Sequence, residues 1–222
     1  MDSMKKTTKN ELKIIVIGNS GTGKTSFVNK WTKNTFTDTY KATIVSEFSY
    51  KIFEYQGKFY RVQLWDIAGQ DKNIQITKIF SKDAHGCIVL SDITSKESIQ
   101  DSLKWKASVD DTARFIDGGM LPCILIENKI DLIDEELVKD DSEIKKFVDE
   151  NKFDNHFRTS AKMGIGINES MDYLIRTILD RLSKVAKEGE NPLEKDKNNL
   201  VLEASKVKKP NSGEESNNGM CC

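Results

Sequence analysis

A glycine-rich run that ends in lysine and threonine is the part of this chain best suited to chemistry. It extends from Gly18 to Thr25 (GNSGTGKT) and follows the apolar stretch from Leu12 to Ile17. Glycines allow a tight turn whose amide N–H groups point at phosphate oxygens, and a helix that begins there adds its positive end. We expect the Lys24 ammonium to lie over the β- and γ-phosphates and the Thr25 hydroxyl to bind Mg²⁺. The run predicts a nucleoside triphosphate site; the alternative is a glycine-rich turn that binds nothing.

A second segment carries groups that could act at the γ-phosphate. The strand-like run from Tyr60 to Trp65 leads directly into the sequence DIAGQ. We expect Asp66 to reach Mg²⁺ through water and Gly69 to bring a backbone N–H to the γ-phosphate. Gln70 follows where an attacking water would need to be oriented. Together with the phosphate loop, this segment favours hydrolysis of the nucleotide.

Two later segments indicate which base is bound. The sequence NKID, from Asn128 to Asp131, follows the apolar run from Cys123 to Ile126. The Asp131 carboxylate can accept from both the ring N–H and the exocyclic amine of guanine, whereas adenine offers the wrong donors. The Lys129 stem can cover the base plane, and the sequence SAK, residues 160–162, can close the base pocket. Each segment alone is weak, but four in order, each at a strand end, indicate guanine.

The elements that must position these segments alternate between strand and helix. Strand-like runs lie at 12–18, 47–55, 58–66, 86–91, 122–128 and about 157–160, and helical patterns lie near 24–33, 73–82, 96–115, 141–151 and 168–187. Gln56-Gly57 predicts a hairpin turn between the second and third strands. The alternation predicts an α/β fold with a six-stranded, mostly parallel sheet, helices on both faces and ligand loops at the carboxyl ends of the strands.

With these motifs, residues 11 to about 185 resemble a Ras-superfamily small GTPase, and within it the Rab family. The pair Cys221-Cys222 resembles the double-cysteine prenylation signal of Rabs. Residues 64–70, with Ile67 where most Rabs carry threonine, and residues 103–106 (LKWK) are similar to the Rab subfamily of lysosome-related organelles. The resemblance implies a P-loop G domain over residues 11–187, and slow GTP hydrolysis stimulated by a GTPase-activating protein.

The resemblance also assigns site residues by position. Phe36 lies seven residues before Thr43, as does the aromatic residue that flanks guanine in the family. Thr43 matches the switch I threonine that joins Mg²⁺ and senses the γ-phosphate; Thr25 and Thr43 are the expected metal ligands, with Asp66 acting through water and Gln70 as the catalytic residue. The expected nucleotide-binding residues are Ser20, Gly21, Thr22, Gly23, Lys24, Thr25, Ser26, Phe36, Thr43, Asp66, Gly69, Asn128, Lys129, Asp131, Ser160, Ala161 and Lys162.

A surface that recognises effectors is expected from three aromatic residues and two departures from the family pattern. Phe48, Trp65 and Phe80 match the aromatic triad that Rabs present to effectors; the alternative is that they are core residues. Val45 replaces the usual switch I glycine, and Asn73 stands where switch II usually carries an aromatic residue. Both changes leave the expected nucleotide ligands intact and bear only on which effectors, exchange factor and GTPase-activating protein bind.

Composition limits the remaining possibilities. The 222 residues suffice for one domain with tails, and the net charge of −1 argues against a nucleic-acid surface. No apolar run approaches the ~20 residues of a transmembrane helix, residues 1–10 are polar and expected to be disordered, and residues 188–222 form a polar tail that is expected to be disordered. Cys87 and Cys123 lie in apolar runs and are expected to be buried thiols in a reducing compartment.

These expectations define a partner set and two rival functions. The implied partners are GTP and GDP with Mg²⁺, an exchange factor, a GTPase-activating protein, a GDP-dissociation inhibitor or prenylation escort protein, and effectors in vesicle traffic. We expect a monomer on the cytoplasmic face of an intracellular membrane, held through prenyl groups, with a cytosolic pool. The rivals are a GTP-binding module that scarcely hydrolyses and serves a fixed partner, and an adenine-nucleotide P-loop enzyme such as a kinase.

Overall fold

Strands and helices alternate through the parts of the chain that the structure, a computed structural model, describes: residues 10–39, 43, 46–69, 74–134 and 142–187. The strands are β1 Glu11–Ile17, β2 Ser46–Tyr55, β3 Lys58–Ile67, β4 Gly86–Asp92, β5 Cys123–Asn128 and β6 Asn155–Thr159. Among the described residues the helices are α1 Lys24–Lys33, α2 Ile74–Phe80, α3 Lys96–Asp110, α4 Ser142–Glu150 and α5 Ile167–Lys187, and a 3-10 turn covers Ile130–Leu132.

The six described strands form one sheet in the order β2-β3-β1-β4-β5-β6. Only β2 and β3 pair antiparallel, and the turn between them has positive φ at both Gln56 (50°) and Gly57 (72°), which matches the right-handed twist of the strands. Every residue of β5 is buried, and its first four residues, 123–126, are all apolar, because a parallel strand is covered on both faces. The predicted α/β fold with a mostly parallel sheet is confirmed.

Helices cover both faces of this sheet. Helix α1 contacts β2, β3 and α5, whereas α3 contacts β4, β5 and α2. Ser95 caps α3, because its side chain accepts a hydrogen bond from the Ser98 backbone N–H. The core between these layers contains fully buried large side chains such as Phe27 and Trp105. Their burial holds the helices at fixed positions relative to the strand ends.

The parallel register brings five strand ends to one edge of the sheet. Val16 of β1 lies beside Asp66 of β3, and Asp92 of β4 lies beside Asn128 of β5, which in turn lies beside Thr159 of β6. Residues that follow these positions therefore meet at the same edge. This arrangement places the phosphate loop, the DIAG segment and the NKID and SAK segments next to one another.

The predicted end of helix α3 was wrong. Helix α3 ends at Asp110 and not near residue 115, because Phe115 leaves the helix for a turn closed by a hydrogen bond from the Phe115 backbone N–H to the Gly119 carbonyl. Phe115, an apolar residue that continues the helical pattern, is buried although it lies beyond the end of the helix. Strand β6 begins at Asn155, two residues earlier than predicted, because Asn155 pairs with Ile124 of β5.

Two further expectations can be compared with the described residues. Cys87 and Cys123 are free and buried, and they lie side by side on β4 and β5. Burial raises the pKa of the Cys87 thiol, and its contact with Cys123 raises it further. Among the described helices, none is long and apolar enough to cross a bilayer. Residues 1–9 and 188–222 lie outside the described part of the chain.

Candidate nucleotide-binding site

A cavity of about 920 Å³ opens at the edge where the strand ends meet. It is lined by fourteen of the residues expected from sequence: Ser20, Gly21, Gly23, Lys24, Thr25, Ser26, Phe36, Thr43, Gly69, Asn128, Lys129, Asp131, Ala161 and Lys162. Three others, Thr22, Asp66 and Ser160, lie behind this lining and are 1% exposed or less. Each of them is hydrogen-bonded to a lining residue: Thr22 to Asn128, Asp66 to Thr25 and Ser160 to Asp131.

Glycine is required at two positions of the phosphate loop (residues 18–25). Gly23 has a φ of 94°, in the left-handed region, and a Cβ there would collide with the Asn128 side-chain amide. Gly18 has a φ of 138°, and a Cβ there would collide with the Leu90 carbonyl. The loop can therefore pack this closely against β4 and β5 only if both positions are glycine. Helix α1 begins directly after it, with no acidic residue in the first turn to oppose an anion.

The Lys24 ammonium is held inside the loop. Its Nζ donates hydrogen bonds to the Gly18 carbonyl at 2.9 Å and to the Asn19 carbonyl at 2.7 Å, and only 6% of the residue is exposed. Burial lowers the pKa of Lys24 to about 8, although the nearby Asp66 carboxylate raises it. A bound phosphate would add negative charge beside this ammonium and favour its charged form.

Oxygen atoms from three segments meet at the base of α1. Thr25 Oγ1 donates a hydrogen bond to Asp66 Oδ2 at 2.5 Å, and the Thr25 and Thr43 hydroxyls are 2.9 Å apart. Burial raises the pKa of Asp66 to about 6, and the hydrogen bond from Thr25 is the largest opposing effect. Since Thr25 has only one proton to donate, it accepts at its contact with Thr43. The three side chains thus tie α1, the segment at residue 43 and β3 together.

This oxygen cluster fits a magnesium ion. Asp66 Oδ1 is buried and has no hydrogen-bond partner among the described residues, which is costly for a carboxylate oxygen. Two hydroxyls and a carboxylate are hard oxygen donors of the kind that Mg²⁺ prefers, with water and phosphate supplying further ligands. Among the described residues, no group of three or more His, Cys, Asp or Glu could hold a metal elsewhere.

Asn128 fixes the far end of the cavity to the phosphate loop. Its Nδ2 donates to the Thr22 carbonyl at 2.9 Å, and its Oδ1 accepts from Thr159 Oγ1 at 3.0 Å and from the Ala161 backbone N–H at 3.1 Å. The side chain is buried and both ends of the amide are used. Asn128 therefore acts as a joint between the phosphate loop, β5 and the SAK segment.

The Asp131 carboxylate lies in the cavity wall and is oriented from behind. Ser160 Oγ donates a hydrogen bond to Asp131 Oδ1 at 2.5 Å and accepts one from the Met163 backbone N–H at 3.0 Å. Lys129 has a φ of 72°, and its Nζ is 2.6 Å from Asp92 Oδ2. The ion pair with Asp92 at the end of β4 holds the lysine stem beside the cavity.

The three aromatic residues expected at the effector surface form one row. The ring centroids of Phe48 and Trp65 are 5.4 Å apart, and those of Trp65 and Phe80 are 5.7 Å apart. Trp65 and Phe80 are partly buried against the core, whereas Phe48 is 46% exposed. The row therefore has one end packed against the core and one at the surface. Packing explains two of its members but not the exposure of Phe48.

Five expected residues lie outside the described part of the chain: Gln70, Val45, Asn73, Cys221 and Cys222. Conversely, the sequence interpretation missed two polar residues that the structure joins to the site. Asp92 pairs with Lys129, and the Asn19 side chain is held by α3. The position of Asp92 at the end of an apolar strand was an available signal, but no sequence pattern indicates the partner of Asn19.

Comparison with known proteins gives a family and several relatives. Residues 13–180 match the profile of the Ras family. The Ras-related protein Rab-7L1 of Mus musculus is 32% identical over 202 residues, which cover 90% of this chain and 94% of the relative. Rab-32C of Dictyostelium discoideum is 36% identical over 169 residues (76% of this chain, 74% of the relative). Rab-32 of Homo sapiens is 34% identical over 174 residues (78% and 77%).

Proposed function

This chain belongs to the Ras family and is a Rab-like small GTPase, an enzyme that hydrolyses GTP, and from that premise we propose that its cavity is a two-state switch. In the GTP state the segments around Thr43 and Gly69 are held against the phosphates; in the GDP state both relax. The relatives Rab-7L1 and Rab-32 match the expected similarity to the Rab proteins of lysosome-related organelles. Family membership does not favour a module without hydrolysis or an adenine-nucleotide kinase.

One observation carries this proposal: the hydroxyls of Thr25 and Thr43 and the carboxylate of Asp66 meet beneath the phosphate loop although they come from three separate segments. Bound Mg²⁺ would supply positive charge at the phosphate oxygens. Thr25 and Thr43 would hold it directly, with Asp66 acting through water. Because Thr43 is the member that belongs to switch I, its attachment to this cluster links the switch to the state of the nucleotide.

Lys24 and Gly69 complete the proposed phosphate end. In the structure the Lys24 ammonium donates hydrogen bonds to two backbone carbonyls. We propose that a β- or γ-phosphate oxygen replaces one of these two acceptors. A Cβ at Gly69 would collide with the Gly18 carbonyl and with the Lys24 ammonium. This closeness lets the Gly69 backbone N–H approach a γ-phosphate in the same place. Gln70, which follows, would orient the attacking water.

The base end selects guanine in this proposal. The Asp131 carboxylate accepts from the two neighbouring donors of guanine, and Ser160 orients it from behind. The Lys129 stem, held by Asp92, would lie along the base plane, and Phe36, which lines the same cavity, would flank the base. Adenine lacks the matching donor pair, so its nucleotides would leave the Asp131 carboxylate unpaired.

Hydrogen exchange measured by mass spectrometry tests the switch directly. The full chain is loaded with GDP or with a non-hydrolysable GTP analogue, each with Mg²⁺, and peptides spanning residues 36–47 and 66–74 are compared. We expect slower exchange in both peptides with the analogue, and equal exchange in a reference peptide from α4. Equal exchange of the two switch peptides in both nucleotide states would contradict the proposal.

Membrane attachment is proposed to come from lipid on Cys221 and Cys222. Residues 188–222 contain five lysines against seven acidic residues, a formal charge of −2, so this segment offers no electrostatic anchor. One short chain gives only marginal attachment and stable anchoring takes two signals, which two prenyl groups would supply. The protein would then cycle between the cytosol and the cytoplasmic face of an intracellular membrane, with a GDP-dissociation inhibitor or prenylation escort protein covering the lipid.

Mass spectrometry of the C-terminal peptide, with fractionation of Cys222→Ser and of the double serine variant, tests the lipid proposal. We expect two prenyl groups in the membrane fraction and a cytosolic double variant. An unmodified peptide in the membrane fraction would refute the proposal, and a singly modified protein that stays on membranes would refute its two-lipid part.

A further inference from the structure

Helix α3 reaches the phosphate loop through the side chain of Asn19. The Trp105 indole Nε1 donates a hydrogen bond to Asn19 Oδ1 at 2.7 Å, and Asn19 Nδ2 donates one to Asp101 Oδ2 at 2.8 Å. Trp105 is 1% exposed. Because the indole only donates and the ionised carboxylate only accepts, these partners fix the orientation of the Asn19 amide. Asn19, Asp101 and Trp105 are called the Asn19 clamp below.

The backbone of Asn19 is a contact point for the phosphate machinery. Its carbonyl accepts hydrogen bonds from Lys24 Nζ at 2.7 Å and from Thr22 Oγ1 at 3.0 Å. A Cβ at Gly69 would collide with the carbonyl carbon of Asn19, so this peptide group is also the surface that Gly69 approaches. Ser20 and Gly21, which follow, line the cavity. A shift of Asn19 would therefore move the lysine, the loop and the approach of Gly69 together.

The outer partner of the clamp is a charged acceptor. Asp101 Oδ1 is 2.6 Å from Lys104 Nζ, and the Asp101 side chain is 16% exposed. Hydrogen bonds from Lys104 and then from Asn19 lower the pKa of Asp101, so that it is ionised at neutral pH. Hydrogen bonds to an ionised acceptor are shorter and stronger than neutral ones. The Asn19 amide is therefore held by one buried donor and one charged acceptor, both on α3.

We propose that Trp105 and Asp101 are positioning residues of the nucleotide site: through Asn19 they hold the phosphate loop in its binding shape and so set the rates of nucleotide release and GTP hydrolysis. The inference rests on the proposed function of the cavity. Neither Trp105 nor Asp101 lines the cavity, so both act through Asn19. The structure thus assigns a role to α3 that no motif of the phosphate loop indicates.

A purely structural role for Trp105 makes a different prediction. A buried indole packs the core, and its loss would lower the stability of the fold without a specific effect on the nucleotide. A positioning role requires that nucleotide kinetics follow the hydrogen bonds of the clamp and not the volume of the side chain. The test must therefore change the bonds while keeping the packing.

Exchanging the side chains of residues 19 and 101 changes these hydrogen bonds and keeps the packing. Asn19→Asp sets two carboxylates against each other and should speed the release of a fluorescent GDP analogue from the full chain about tenfold or more, because close like charges repel strongly. The double variant Asn19→Asp/Asp101→Asn restores a donor facing an acceptor, and the indole can still donate to residue 19. Release and single-turnover hydrolysis in the double variant should return to within about twofold of the unaltered chain.

A second pair of variants keeps the test decisive if Asn19→Asp fails to fold. Trp105→Phe removes the indole donor and keeps an aromatic ring, and it should speed GDP release about fivefold, the value of one lost hydrogen bond. Trp31→Phe is the matched control, because Trp31 is also buried, 4% exposed, and among the described hydrogen bonds its indole makes none to Asn19. We expect GDP release from Trp31→Phe to stay within about twofold of the unaltered chain, because substitutions at distant sites with no shared partner have nearly independent effects.

Each outcome decides the question. Rescue by the double variant, or a faster release in Trp105→Phe alone, supports the positioning role. Unchanged release in Asn19→Asp, failure of the double variant to rescue a folded single variant, or equal effects of the two tryptophan substitutions would overturn it. If the unaltered chain binds no GDP, the proposed function itself fails; if it binds GDP and the clamp variants behave like their controls, only this inference fails.

Discussion

Replacing Asp131 by asparagine should change the base preference of the nucleotide site without disturbing the phosphate end. The Asp131 carboxylate lies in the cavity wall, and the Ser160 hydroxyl donates to its Oδ1 at 2.5 Å. In Asp131→Asn the same hydroxyl can donate to the amide oxygen, so the side chain keeps its place. The amide then turns an NH₂ donor toward the base where the second carboxylate oxygen had been, and it faces a donor of guanine.

One of two hydrogen bonds to a charged acceptor is lost, and the other is weakened because its acceptor becomes a neutral amide oxygen. A hydrogen bond to a charged group is worth about 1.5–3 kcal/mol and leaving a donor unpaired costs about 1–3 kcal/mol, so the affinity for GDP should fall by about 2.5–6 kcal/mol, or roughly 10²- to 10⁴-fold. Xanthine carries an oxygen where guanine carries its exocyclic amine, and an amide can donate to that oxygen. The variant should therefore bind xanthosine diphosphate better, relative to GDP, than the unaltered chain does.

Competition against a fluorescent GDP analogue measures both affinities. Asp134→Asn is the matched control, because Asp134 is an exposed carboxylate three residues further on that does not line the cavity. We expect the control to bind GDP like the unaltered chain. An Asp131→Asn variant that binds GDP as tightly as this control, with no gain for the xanthine nucleotide, would refute the assignment of the base pocket.

Three further predictions concern the phosphate loop and the switches. Gly23→Ala should bind GDP at least about tenfold more weakly, because the new side chain would stand at a left-handed backbone position and collide with the asparagine at the end of β5. Gly57→Ala is the control, because Gly57 also has a positive φ but lies in open space. Equilibrium binding of GDP measures both variants. Thr25→Asn should shift the ratio of GTP to GDP affinity toward GDP by weakening the oxygen cluster, as measured by competition at saturating Mg²⁺. Val45→Gly combined with Asn73→Phe should change the proteins captured by the GTP-loaded chain at unchanged GTP affinity; an unchanged set would indicate neutral substitutions, since most surface changes have small effects.

The phosphate and base segments could be located from sequence because each motif depends on local chemistry. The phosphate loop needs glycine where φ is positive, and NKID and SAK follow strands that apolar runs identify. Parallel strands then bring these ends to one edge without further information. No motif specifies the strand order. Most of the expected residues nevertheless line one cavity, because the strand ends that carry them lie at the same edge of the sheet.

The features that sequence could not predict depend on distant contacts. The bond from Trp105 to Asn19 spans 86 residues and arises only when α3 packs beside β4. The end of α3 was missed for a related reason: Phe115 extends the helical apolar pattern but is buried from a turn. The exposure of Phe48 also depends on the sheet, because β2 is an edge strand with no further strand beside it in the described sheet.

Single-turnover hydrolysis of bound GTP tests the central claim most directly. The full chain, Gln70→Leu and Gln100→Leu are loaded with GTP and started with Mg²⁺, and phosphate release is followed with and without a cell extract. Gln100 is an exposed residue of α3 outside the cavity wall, which makes its substitution a matched control. We predict slow hydrolysis that the extract stimulates in the unaltered chain and in Gln100→Leu, with both rates reduced in Gln70→Leu at unchanged GTP affinity. Equal hydrolysis rates in all three proteins would contradict the claim that Gln70 sets the rate at which the GTP state is converted to the GDP state.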